Sequence, residues 1–370
     1  MRVILRRMIA VPTHCVRVRK GLALASASAL LFAGCSSGTD SIAEREAPPT
    51  ESSSEPDLNI VATTTIWADI ASRSLCGLEV ASVIPAGADP HTFETSLADR
   101  ATLEQADLVV ANGLALEEGL VDLLATVADG GTPVIEMTEA VAIRDMGDDH
   151  DDEHSDDKDH ADEHHDEDED HGDDEDHGDY EDHDHDDKDH ADEHHHDHSG
   201  SDPHIWLDPI NVASTVNLIT EAAIDAGFDT SVRACAQDFI DEIEALDTEI
   251  ADDLSAIPSD RRFLVINHDA LGYFAKRYGF EVVGTVIPSL STLAETNPAD
   301  LADLAAIIEE LDIPTVFSEE QASARDADAL ADAIPGLTVV ALDTGSLRDT
   351  DDDYLSMMRR NVTAIAEALG

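Results

Sequence analysis

The sequence predicts an α/β protein: two βα lobes with parallel sheets, joined by one long linking helix, with the ligand site in the cleft between the lobes. Three observations carry this. Short runs rich in Val and Ile alternate with helical patterns along residues 58–230, and the same rhythm restarts after residue 258, as parallel βα units require. Between the two halves lies a single amphipathic run, residues 231–257. Two such lobes leave a crevice, the usual place for a ligand.

In chain order, residues 1–34 carry six bases (Arg2, Arg6, Arg7, Arg17, Arg19, Lys20), no acid, and an apolar run from Leu22 to Phe32. A charged start before an apolar run too short to span a bilayer reads as a secretory signal. Leu31-Phe32-Ala33-Gly34-Cys35 resembles a bacterial lipobox, which makes Cys35 the lipidated first residue of an anchored, extracytoplasmic protein. Residues 35–57 are Ser, Glu, Pro, Thr and Ala with little to bury, and are expected to form a flexible tether.

The first lobe, 58–230, opens with a strand over Ile60–Thr64 and a helix containing Ile66, Ile70 and Ala71. Strands follow over Val80–Ile84, Leu108–Ala111 and Val134–Met137, with a helix over Leu97–Ala106 between them. Ile205-Trp206-Leu207 reads as a further strand-like run. Asp208-Pro209 then gives a capping carboxylate and a proline at the first helical position, and Gly227 a stop. In 231–257, Phe239, Ile243, Leu246, Ile250, Leu254 and Ile257 recur at helical spacing until Pro258. The second lobe, 258–370, repeats the rhythm: strands over Phe263–Ile266, Val282–Ile287, Thr315–Phe317 and Thr338–Leu342, and a helix over Asp300–Leu311.

One segment breaks the first lobe. Residues 148–198 hold 29 acids, two lysines and 14 histidines, and DDKDHADEHH occurs at both 156–165 and 186–195. With no apolar period it has no core to form, and it is expected to be a disordered insertion. Its imidazoles, among them His160, His164, His165, His190, His194, His195 and His196, offer many weak metal sites. The whole chain has 82 acids against 21 Lys and Arg, a formal charge of −61. Nucleic acid and other polyanions are thereby excluded as partners.

Outside the leader and the insertion only three histidines remain: His91, His204 and His268. The first two end the same tripeptide, Asp89-Pro90-His91 and Asp202-Pro203-His204, where proline stiffens the turn that presents the ring. His268 follows the strand Phe263–Ile266, and open α/β sheets bind ligands at the carboxyl ends of strands. Beside a histidine-rich segment, these three point to a metal. Three imidazoles leave one tetrahedral position open. Asp343, ending the strand Thr338–Leu342, is the best fourth donor, with Glu319 and Glu320 as alternatives that belong more naturally behind the ligands.

Five ordered segments, GADPHTFETSLAD (87–99), ADLVVANGLALE (106–117), DPHIWLDP (202–209), NHDALGYFAKRYGFE (267–281) and VVALDTG (339–345), resemble the metal-specific solute-binding proteins of bacterial ABC importers. The high-affinity zinc-uptake members with a histidine-rich loop are the most similar. The resemblance implies two lobes joined by one helix, with the metal in the inter-lobe cleft. It places His91 and His204 on the first lobe and His268 and Asp343 on the second. Manganese and iron members usually carry Glu in place of His268, so the set moves towards three nitrogens and one oxygen, which suits Zn²⁺. It also implies an importer permease and its ATPase as partners, Zn²⁺ as transported ligand, and no catalysis; a monomer is expected.

Cys76 and Cys235 remain as a pair that can oxidise outside the cytoplasm, or as two buried thiols. Three alternatives stay open on sequence: a manganese or iron carrier of the same class, a surface metal buffer or adhesin, and a zinc hydrolase. For the hydrolase, a local His-Glu-x-x-His cluster is missing.

Overall fold

A computed structural model describes residues 58–145 and 200–370. The leader, the anchor at Cys35, the tether and every histidine of the 148–198 insertion lie outside the described residues.

The first lobe runs β1 (Ile60–Ala62), α1 (Thr65–Ser74), β2 (Ala81–Ser82), α2 (Leu97–Glu104), β3 (Leu108–Ala111), α3 (Val121–Asp129), β4 (Val134–Glu136) and α4 (Pro209–Asp225). Its strands pair in parallel in the order β2-β1-β3-β4. Every residue of β1 and β3 is buried, as expected of strands covered by helices on both faces. After α5 (Val232–Leu254) the second lobe runs β5 (Phe263–Ile266), α6 (Gly272–Tyr278), β6 (Glu281–Thr285), α7 (Pro298–Glu310), β7 (Thr315–Glu319), α8 (Arg325–Ala333), β8 (Thr338–Leu342) and α9 (Tyr354–Leu369). The order β6-β5-β7-β8, again all parallel, repeats the winding of the first.

Several sequence expectations need correction. The run Val80–Ile84 contributes only Ala81 and Ser82 as a strand, because it lies at the sheet edge and turns away at Pro85; the Val83 and Ile84 amides still bond the Ala62 and Thr63 carbonyls. Ile205–Leu207 is a buried 3₁₀ turn rather than a strand. Asp208 accepts a hydrogen bond from the Ile210 amide at 2.9 Å and starts α4 at once, leaving the apolar run no length to extend. Strand β7 continues to Glu319, which pairs with Leu342, so Glu319 sits on the strand and not beyond it.

Helix α5 has 23 residues, about 35 Å of rod, and buries Phe239, Ile243, Leu246, Ile250 and Leu254. It stops three residues before the expected end, although Ile257 keeps to the same apolar seam. Ile66, Trp67 and Ile70 of α1, Val216 and Ile219 of α4, the α5 seam, and Tyr354, Met358 and Ile365 of α9 share one apolar core. This core, common to both lobes, explains why the C-terminal helix packs back against α1 and α5. Each sheet has a smaller core of its own, around Val109 and Val127 in the first and Val316 and Ile308 in the second. A disulfide joins Cys76, just after α1, to Cys235 in the first turns of α5, with Cα atoms 5.2 Å apart. Among the described residues no helix is long and apolar enough to cross a membrane.

Candidate metal centre

His91 lies in the loop that leaves β2, His204 in the turn that leads into α4, and His268 just after β5. All three are buried. His204 Nε2 lies 3.3 Å from His91 Nε2 and 3.1 Å from His268 Nε2, so three ring nitrogens from two lobes meet at one point. Zinc–nitrogen bonds of about 2.0–2.1 Å at tetrahedral angles put ligand nitrogens about 3.3 Å apart. The two spacings about His204 are those of nitrogens that can share one metal ion.

The far side of each ring decides which nitrogen faces inward. His204 Nδ1 is 2.9 Å from Asp202 Oδ1, and His268 Nδ1 is 2.8 Å from Glu319 Oε2. A carboxylate there accepts a hydrogen bond from Nδ1–H, which fixes the proton on Nδ1 and leaves the Nε2 lone pair for a cation. Converging lone pairs repel in a buried space, and a positive ion between them removes that conflict. Asp202 also accepts the His204 amide at 3.0 Å and the Arg144 guanidinium at 3.2 Å. Glu319 accepts the Thr344 hydroxyl at 2.5 Å.

Electrostatics follow from burial and these partners. Burial pushes the Asp202 carboxyl up to about 6, against the opposing pull of the His204 amide and Arg144. Burial, and then the neighbouring His268 and His91, hold His204 well below the ordinary imidazole value. Burial also disfavours charge on His268, but the Glu319 carboxylate outweighs it and the net direction is upward. The same pairing keeps Glu319 below its usual range although burial would raise it.

The space bounded by the three rings, Asp89, Trp206, Gln321 and Thr344 is only about 10 Å³, room for one ion or one water. The lobes meet closely here. A Cβ on Gly345 would come within 2.8 Å of Gln321 Nε2 and 3.1 Å of Pro90 Cδ across the cleft. Trp206 Nε1 donates to the Thr344 carbonyl at 2.7 Å, and the Tyr354 hydroxyl to the Trp206 carbonyl at 2.8 Å.

The structure departs from expectation at Asp343. Its carboxylate is buried, but it is absent from the donors gathered within 4.8 Å, and its oxygens accept from Arg348 Nε at 2.8 Å and Arg360 Nε at 3.0 Å. Glu320 is half exposed and pairs with Arg348 at 3.4 Å, away from the rings. The residues that sequence reasoning left without a role are Asp202, Arg144, Trp206 and Glu118. For Asp202 a signal existed: an Asp two residues before a histidine, across a proline, can fold back onto that histidine's amide, and both Asp89 and Asp202 do so at 3.0 Å.

A buried, ion-sized nest of three imidazoles shared by two parallel-sheet lobes defines a metal-binding solute-binding protein of the ABC-importer type. Residues 60–368 match the family described as zinc-uptake complex component A, periplasmic (ZnuA), and the chain belongs to that family. It is a carrier, not an enzyme, and such carriers work with an importer permease and ATPase. Relatives include the manganese-binding lipoprotein MntA of Halalkalibacterium halodurans, 25% identical over 320 residues, 84% of this chain and 88% of that protein. The high-affinity zinc uptake system protein ZnuA of Bacillus subtilis is 25% identical over 297 residues, 79% of this chain and 81% of that one. Among solved structures, the periplasmic zinc binding protein TroA of Treponema pallidum superposes with a TM-score of 0.65 at 23% identity, covering 85% of this chain and 99% of that chain. At that identity the likeness carries the fold.

Proposed function

We propose that the protein captures Zn²⁺ outside the cytoplasm and hands it to an ABC permease, with His91, His204 and His268 as ligands. The observation that carries this reading is the convergence of three buried Nε2 atoms around about 10 Å³. Three neutral imidazoles suit zinc better than the oxygen-rich sets that suit manganese. Names among the relatives include both metals, so the donor chemistry of this chain carries the choice. Asp343 becomes the fourth ligand only by exchanging its two guanidinium partners for the metal. An ion-sized space also leaves a hydrolase no room for a substrate.

In the same reading Cys35 carries the lipid and residues 35–57 form the tether. The 148–198 insertion gathers zinc loosely near the cleft, raising its local concentration. Release follows when the permease parts the lobes, because the ligands belong to both. Cells lacking the chain and complemented with it should recover growth on limiting zinc, while those given the His204→Ala form should not. Equal rescue by both would remove His204 from the carrier's task.

A further inference from the structure

The three metal-facing rings are not equally supported. Asp202 and Glu319 hold His204 and His268 at hydrogen-bond distance, but among the described residues His91 Nδ1 is buried without a hydrogen-bond partner. Among the described residues the nearest carboxylate oxygen is Oε1 of Glu118, 3.7 Å away, about 1 Å too far for a bond. Glu118 opens a 3₁₀ turn, Glu118–Leu120, whose backbone is fixed by close packing: a Cβ on Gly119 would come within 2.1 Å of the Phe93 carbonyl oxygen. The adjustment open to Glu118 is therefore in its side chain.

That side chain is gripped from the other lobe. Glu118 Oε1 accepts the Ser291 hydroxyl at 2.5 Å, and the adjacent Thr292 hydroxyl donates to Asp89 Oδ2 at 2.6 Å. Asp89 Oδ1 in turn accepts the His91 amide at 3.0 Å. Ser291 and Thr292 belong to the loop between β6 and α7, and the start of that loop is bonded on both sides of His268. The Ile287 amide donates to the Asn267 carbonyl at 2.7 Å, and the Asp269 amide to the Ser289 carbonyl at 2.9 Å. One strap thus runs from the backbone of the second lobe's ligand to the two acids that flank a ligand of the first.

We propose that Glu118 is the positioning carboxylate of His91, and that the Ser291–Thr292 strap holds it in place only while the lobes are together. A metal on Nε2 draws density from the ring and strengthens Nδ1–H as a donor. Glu118 then closes the remaining distance and completes a set of three carboxylate-backed imidazoles. When the lobes part, the strap withdraws from Glu118 and Asp89 together, and His91 loses its orientation before His204, whose support lies on its own lobe. His91 is the ligand that lets go first. This rests on the metal-carrier reading above.

The test uses the full-length protein loaded with zinc and washed with a weak chelator, so that only tightly held metal is followed. Its release into excess EDTA is then timed. Glu118→Ala should speed release by about 10–100-fold, the usual effect of losing such a partner. Glu118→Gln, which keeps the acceptor but not the charge, should fall between it and the unaltered protein. The Ser291→Ala, Thr292→Val double variant should also speed release. The melting temperature of the metal-free protein should stay unchanged in both Glu118 variants, since the Glu118 side chain is 37% exposed. Release from Glu118→Ala within about twofold of the unaltered protein, or a change that tracks a lower metal-free melting temperature, overturns the proposal. An unaltered protein that retains no tightly held zinc would instead count against the metal-carrier reading itself.

Discussion

His268 and Asp343 show how partners decide what a side chain can do. Glu319, accepting from Nδ1–H, turns the Nε2 lone pair of His268 towards the other rings, whereas Arg348 and Arg360 occupy the oxygens that Asp343 would offer to a metal. Charge-assisted bonds of this kind are worth about 1.5–3 kcal/mol each, so recruiting Asp343 recovers little net affinity. We expect Asp343→Asn to weaken zinc binding by less than about tenfold, below the 10–100-fold common for outer partners, and His268→Ala to weaken it far more. Competition titration on the two variants compares them directly. Protons compete at the same nitrogens. Binding needs neutral rings, and His268 has a value raised above 6.5 while that of His204 is lowered. As pH falls, His268 therefore takes the first proton of the pair, and affinity should drop by about tenfold per pH unit through and below that raised value. An affinity unchanged between pH 8 and 5.5 would contradict the assignment.

At the scale of elements, α1, α4, α5 and α9 form the frame against which the lobes are set, and the Cys76–Cys235 bridge ties two of them across 159 residues. A cross-link of that span contributes about 2–4 kcal/mol, and neither cysteine lines the space between the rings. The Cys76→Ser, Cys235→Ser double variant should melt at a lower temperature while binding zinc within about threefold of the unaltered protein, as calorimetry and titration would show. A large loss of affinity would mean that the bridge sets the cleft. These elements were unequally legible in the sequence. Helix α5 was plain because a buried seam on one face and acids on the other repeat over six turns. Strands β3, β5 and β8 were found at their true bounds, since each is a short Val- and Leu-rich run between turn signals. Edge strand β2 and the turn Ile205–Leu207 were misread, because a buried apolar run looks the same whether or not a neighbouring strand exists to pair with it. The three histidines were legible once those of the leader and insertion were set aside. Glu118, Ser291 and the arginines on Asp343 were not, because their partners lie 5 to 173 residues away: the fold of the second lobe brings the arginines to Asp343, and the meeting of the two lobes brings Ser291 to Glu118.

For the molecule as a whole, the central point is that two similarly wound lobes each bring histidine nitrogens to one ion-sized space. Neither lobe carries a complete site, and the shared core limits how far they separate. The charge of −61 favours cations throughout, and the 148–198 segment is rich in both acid and imidazole. Asp145 and Ser201 pair as an antiparallel bridge at its base, so a chain lacking 148–198 has almost no gap to close. That shortened protein isolates the cleft from the 14 loop histidines. The most direct measurement is its metal stoichiometry and affinity with Zn²⁺ and Mn²⁺ in competition. We expect one tightly bound zinc per chain, not displaced by excess manganese and lost in the His204→Ala form. One tightly bound manganese that resists zinc, or no tight metal at all, would contradict the account.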